Sequence, residues 1–159
     1  MIIVSDTTSL IVLYKLDSLH LLCELFEQVL IPTVVMDEIQ VGSPDIYSKF
    51  ELFNCLEITN VAKTKRLSSL LWILDEGEAN AIELAISLKL PLIIDERKGR
   101  QVARQLGVKV TGFAGLLVQA TRSKILSGED AEAFLDQAIK NGLRLSEKLQ
   151  HQIRKQLLN

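Results

Sequence analysis

The sequence predicts an α/β domain built on a parallel sheet. Five short apolar runs, each long enough for a buried strand and too short for a helix, recur along 159 residues. Between them lie segments whose apolar residues repeat every three to four positions, the spacing of one helix face. No repeat, low-complexity tract or linker-like stretch interrupts the alternation, so one domain spanning residues 1–159 is expected. Strands alternating with helices imply a parallel sheet covered on both faces. In such sheets ligands bind beyond the carboxyl ends of the strands.

The first run, Ile2–Ser5, is followed by Thr8 or Ser9, either able to cap a helix. Leu19, Leu22, Cys23 and Phe26 fall on one helix face. Val29–Ile31 is the second strand. Pro32 or Thr33 opens a short helix to about Ile39, which Gly42-Ser43-Pro44 ends. Leu56–Val61 is the third strand, flanked by helical segments near 45–53 and 63–73. Asp75–Lys89 reads as a helix with Ala79, Ile82 and Ile86 on its buried face, and Leu90–Ile94 as the fourth strand. Arg97–Leu106 is helical, with Gly99, Val102, Ala103 and Leu106 inward and Gly107 placed for a left-handed cap. Val108–Val110 is the fifth strand, and Gly112–Lys124 the next helix. Ser127 to Asp130 has capping-box spacing, and Leu135, Ala138 and Ile139 give that helix a buried face. Leu145, Leu149, Ile153 and Leu157 form a narrow last stripe that fits either inward packing or a subunit contact.

Composition supports a core without staples: 48% hydrophobic, mean hydropathy +0.23, and only 3 Pro. Aromatics are 5%, so aliphatic residues must fill it, with the lone Trp72 read as core. Cys23 and Cys55 form no CxxC and have only His20 and His151 as nitrogen company, which argues against zinc. They read as two small buried hydrophobes in a reducing cytosol. The start, MIIVSD, does not fit a signal peptide, and no apolar run approaches the roughly 20 residues of a membrane span. A cytoplasmic protein without membrane contact is expected. Net charge of −2 excludes a constitutively basic nucleic-acid binder.

Carboxylates mark the strand ends. Asp6 follows the first run directly and Asp95 the fourth; Glu38 lies one to two helical turns past the second. Glu78 lies in the first turn of the helix leading to the fourth. Gathered at one edge, such acids repel: two unit charges 4 Å apart interact by about 4 kcal/mol at an effective dielectric of 20. A hard divalent cation compensates directly. Each acid also has a plain alternative. Asp6 suits a helix cap, Glu38 a solvated face, and Glu78 the third position after an Asp75 cap. A charge straight after Leu-Ile-Ile at Asp95 is hardest to explain otherwise. Asp37 competes with Glu38, but the two point about 100° apart.

Taken in order, IIVSDTTSLIVLYKL, VLIPTVVMDEI, LDEGEANAIELA and LIIDERKGRQVARQLGVKVTGFAGLLVQA resemble the PIN-domain family, especially its VapC-like prokaryotic branch. The resemblance implies a PIN-like three-layer α/β/α sandwich with a five-stranded parallel sheet, order 3-2-1-4-5. Residues 1–124 are expected to form the core sheet and helices, and 125–159, which lie outside the resembling segments, a C-terminal helical extension. The resemblance implies Mg²⁺- or Mn²⁺-dependent hydrolysis of RNA phosphodiesters by Asp6, Glu38, Glu78 and Asp95, as both metal ligands and catalytic acids. It also implies a toxin that dimerises and is silenced by an antitoxin protein. Thr8 stands where many relatives carry Asn, and one hydroxyl among Thr7, Thr8 and Ser9 is expected to support the site. The third acid is Glu where other branches have Asp. Glu96 fits either an auxiliary ligand or a surface acid.

Arg97, Lys98 and Arg100 follow Asp95 at once, with Arg104 a turn further, and would hold phosphate or form a solvated face. Arg144, Lys148, Arg154 and Lys155 read as solvated. A haloacid-dehalogenase-type phosphatase would need an acid where Thr8 stands, and a dinucleotide site a GxGxxG that is missing. The non-enzymatic rival is a silent PIN-like module that binds nucleic acid or protein without cutting.

Overall fold

The structure, a computed structural model, describes residues 1–159. β1 (Ile2–Ser5) leads into α1 (Thr7–Lys15) and α2 (His20–Leu25). β2 (Gln28–Pro32) leads into α3 (Thr33–Gly42) and α4 (Ile46–Phe50), and β3 (Leu56–Thr59) into α5 (Lys65–Leu70) and α6 (Glu76–Leu88). β4 (Leu92–Ile93) is followed by α7 (Arg97–Gln105), and β5 (Val110–Thr111) by α8 (Phe113–Arg122), α9 (Gly128–Lys140) and α10 (Glu147–Leu157). The five strands form one parallel sheet in the order β3-β2-β1-β4-β5. Ile3 stands opposite Val29 and Ser5 opposite Ile93, so the ends of β1 and β4 lie side by side.

The strand period of two divides the core into two layers. Ile3, Val29, Ile31 and Ile93 face α1 to α4 and α8 to α10. Val4, Leu30, Leu92 and Ile94 face α5, α6 and α7. Each fully buried aliphatic side chain contributes about 1.5–3 kcal/mol. The C-terminal helices share the first layer, through Leu135, Ala138, Ile153 and Leu157. Helix starts follow local chemistry: Thr64, Asp75, Ser127 and Ser146 each accept from the backbone N–H three residues on. No helix is long and apolar enough to cross a membrane.

Several expectations are corrected. α1 begins at Thr7, so Thr8 and Ser9 lie inside its first turn and do not cap it. β3, β4 and β5 are shorter than or offset from the apolar runs, because such runs record burial and not pairing; Ile94 is buried just beyond β4. Trp72 is 87% exposed: Leu70 and Leu74 turn inward, and a residue midway between them points out. Leu106 ends α7 on its exposed side, and Leu149 is the exposed member of the last stripe. Gly107 takes the left-handed conformation expected of it, φ +83°. Cys23 and Cys55 are joined as a disulfide, their Cα atoms 5.5 Å apart. α2 and the entry to β3 meet across 32 residues of chain, a contact no local spacing announces.

Candidate metal and phosphate site

β1 delivers Asp6 to the carboxyl edge of the sheet, where its N–H donates to the Ile93 carbonyl at 2.9 Å. Asp6 occupies the N-cap position of α1, yet its carboxylate accepts no capping bond from the helix beyond its neighbour. It is 5% exposed. Burial pushes its carboxyl up to about 7; the Thr7 amide opposes this, and the charges of Asp75 and Glu38 reinforce it. The Thr7 hydroxyl lies 3.3 Å from Asp6 Oδ1 and 3.2 Å from Glu38 Oε2. It has one proton to donate, so it ties the two acids together without satisfying both.

Glu38 reaches the same cleft from α3, while Asp37 beside it points to solvent. Partial burial and the Asp75 charge raise its pKa, against hydrogen bonds from Thr7 and the Gly77 amide. Glycine at 77 permits this approach, since a Cβ there would stand 2.8 Å from Glu38 Oε2.

Asp75 caps α6 by accepting from the Glu78 N–H at 2.8 Å, as the sequence allowed. Glu78 nevertheless exceeds a helix-start role. It is 7% exposed, and its Oε2 has no hydrogen-bond partner. Burial, a shared proton with Asp75 and the charges of Asp75 and Asp6 push it up to about 8. Gly99 of α7 makes room, because a Cβ there would lie 2.7 Å from Glu78 Oε2.

Asp95 lies two residues beyond β4, outside the cleft that Asp6, Glu38 and Glu78 share, and is held differently. Its Oδ2 accepts from the Ser9 hydroxyl at 2.9 Å, and its Oδ1 from the Phe113 N–H at the start of α8 at 3.0 Å. Burial raises its pKa, opposed by these donors and by Arg100. Gly112 lets the carboxylate in: a Cβ there would be 2.6 Å from Oδ1. The hydroxyls that hydrogen-bond the acids are those of Thr7 and Ser9; Thr8, the expected one, lines the cleft but makes no hydrogen bond to an acid.

Two depressions meet at this edge. A cleft of about 440 Å³ holds Asp6, Glu38, Asp75, Glu78 and Glu96, with Lys98 as its one cation. A groove of about 1250 Å³ begins at Asp95, Arg97 and Arg100 and continues between α7, α8 and α10. Arg100 donates to the Ile94 carbonyl at 2.9 Å. Arg144, read from sequence as solvated, lines this groove with Arg122, which the sequence did not single out. Arg154 instead pairs with Glu132 and Asp136. No three acids stand close enough as they are to enclose an ion. The orphaned Glu78 oxygen, three carboxyls with raised pKa and the glycine-cleared space around them still fit a hard divalent cation.

A parallel α/β/α sheet whose strand ends carry this acid cluster defines a nuclease-type domain. A family model described as a PIN domain (DUF3368) matches residues 2–159, and the chain belongs to the PIN-domain family. The match takes in the C-terminal helices that lay outside the resembling segments. Among solved structures, the fold is similar to that of a PilT N-terminus domain protein, SSO1118, from the hyperthermophilic archaeon Sulfolobus solfataricus P2. The TM-score is 0.54 at 19% identity, over 76% of this chain and 93% of that one. No curated protein gives a significant match.

Proposed function

We propose that the chain is a Mg²⁺- or Mn²⁺-dependent ribonuclease that hydrolyses RNA phosphodiester bonds. In this reading it is the toxin of a VapC-like pair, acts in the cytoplasm as a homodimer, and is silenced by an antitoxin protein. The observation that carries the nuclease reading is Glu78: a buried carboxyl with an unpartnered oxygen beside Asp6 and Asp75. Without a cation that arrangement costs stability and serves nothing in the fold.

Asp6, Glu38 and Glu78 are the acids assigned to hold the ion. Asp95 completes the set through the lone pair left on each of its engaged oxygens. When bound, the ion supplies positive charge and Lewis acidity at the phosphate. Thr7 fixes the spacing of Asp6 and Glu38, and Ser9 orients Asp95. Arg97, Lys98 and Arg100 take the phosphate oxygens that the acids alone would repel. A second reading, a silent PIN-like binding module, is favoured by the open acid spacing and by the two donors already on Asp95.

The test compares wild type with Asp6→Asn and Asp95→Asn on mixed single-stranded and structured RNA, with Mn²⁺, Mg²⁺ or chelator. Metal-dependent cutting is expected from wild type alone, with at least about a hundredfold loss in each variant. Induced expression should arrest growth for wild type and not for Asp6→Asn. Cutting that persists in chelator, or equally in both variants, removes the nuclease reading.

A further inference from the structure

We propose that the groove between α7, α8 and α10 is the track for single-stranded RNA on one side of the bond to be cut, an inference that rests on the nuclease reading above. Arg97, Arg100, Arg104, Arg122 and Arg144 line it, and none of them forms an ion pair. Its only acid is Asp95, whose two oxygens are engaged by Ser9 and the Phe113 amide. Arginines without a salt bridge, and without lysine among them, suit phosphate, because each planar fork can bind two oxygens at once.

The direction follows from the helices. α7 and α8 both start at the carboxyl edge, beside Asp95, and run away from it on either side of the edge strand β5. From Arg97 to Arg104 the charge extends about 10 Å along α7, by the helix rise. Leu145, Leu149 and Ile153 give the groove an apolar wall, on which the faces of bases can rest. An acidic peptide adding to β5 is the competing occupant, but that strand offers only two residues of ladder, Val110 and Thr111.

The arrangement is one-sided. The acid cleft carries Lys98 alone, so nothing comparable grips the strand beyond the acids. Nucleotides on one side of the scissile bond should therefore strengthen binding, and those on the other side should not.

The test uses Asp6→Asn protein in chelator and a fluorescein-labelled random RNA of about 12 nucleotides, read by anisotropy across salt concentrations. Adding Arg122→Ala and Arg144→Ala should weaken binding about tenfold and lower the slope of log K against log salt by about 1.4, the loss of two phosphate contacts. Lys15→Ala with Lys140→Ala removes the same charge from exposed sites away from the groove and should change neither value. Equal effects from the two pairs, or none from the arginine pair, overturn the proposal. Poly-glutamate at matched charge should not displace the RNA; displacement as effective as by unlabelled RNA would make the groove a peptide site and overturn it too. Wild-type hydrolysis of bis(p-nitrophenyl) phosphate with Mn²⁺ checks the nuclease reading separately, since that small diester has no strand to place in the groove.

Discussion

Helix α6 buries two glutamates five residues apart and treats them in opposite ways. Glu83 is fully buried, yet its oxygens accept from Arg66 Nε at 2.7 Å, Thr64 at 2.7 Å and Ser87 at 3.2 Å. Burial pushes its pKa up, but the Arg66 and Thr64 hydrogen bonds outweigh this and hold it below the usual carboxylate range. Glu78 is nearly as buried, has an oxygen with no donor, and is surrounded by other acids. The middle of the helix pins α5 to α6; its first turn keeps a charge problem open at the sheet edge. A fold able to neutralise a buried glutamate completely at one site leaves its neighbour uncompensated where a cation and a phosphate would come.

Neutralising each glutamate separates the two roles. Glu78→Gln should abolish metal-dependent RNA cleavage, by at least about a hundredfold. It should leave the metal-free protein about as stable as wild type at neutral pH, because an amide can donate to Asp75 as the protonated carboxyl does, and more stable at pH 9, where the carboxyl would carry a buried charge. Glu83→Gln should do the reverse, costing about 1–3 kcal/mol through weakened charge-assisted bonds while sparing the site. Thermal melts with and without Mn²⁺ read both. At a hundredfold excess over Kd the ion stabilises wild type by about 2.7 kcal/mol, and Glu78→Gln should lose this gain. If Glu83→Gln lost it instead, the functional and structural labels would have to be exchanged.

The same contrast has a pH signature of opposite sign. Asp6 and Glu78 have folded pKa values raised to about 7 and about 8, from 3.8 and 4.5. Between those limits the folded chain holds protons that the unfolded chain has released. Their contribution is complete below the unfolded values and is lost as pH rises through about 7 to 8, by up to about 1.4 kcal/mol per pH unit for each proton. Glu83 is lowered, so its contribution is present above 4.5 and lost as pH falls through its folded value. Metal-free wild type should therefore melt lower at pH 9 than at pH 6, and Glu78→Gln should flatten that fall. A rise in stability from pH 6 to 9 would contradict it.

The sheet and its order were legible because apolar runs and helical spacing are local, and because four separated segments resembled one family. The acids at the ends of β1 and β4 were legible for the same reason: the edge they reach is fixed by topology. What was not legible depended on contacts between distant segments. Ser9 reaching Asp95 spans 86 residues, and Arg66 reaching Glu83 joins two helices across a turn. The Cys23–Cys55 linkage and the outward Trp72 depend on how α2 and the end of α5 settle, which no periodicity specifies. Gly77, Gly99 and Gly112 could have been suspected as sites of close approach, but which carboxylate each admits is a tertiary fact.

Asp95 stands between the two glutamates: burial raises it, while a backbone amide, a hydroxyl and Arg100 draw it back. Gly112→Ala tests how much its placement matters. Gly112 has extended backbone, φ −117° and ψ −175°, which alanine adopts without strain, so only the added Cβ counts. That atom would stand 2.6 Å from Asp95 Oδ1 and 3.0 Å from Arg100 Nη1. The carboxylate must yield, giving up the Phe113 amide, at a stability cost of about 1–3 kcal/mol from local overpacking. A shift of this kind close to reacting groups should slow RNA cleavage by about tenfold. Arg104, Arg122 and Arg144 are untouched, so the salt dependence of RNA binding should stay near wild type. A kcat unchanged in Gly112→Ala would mean that Asp95 serves mainly to anchor α8, like Glu83 in its own place, and would leave Asp6, Glu38 and Glu78 to carry the chemistry.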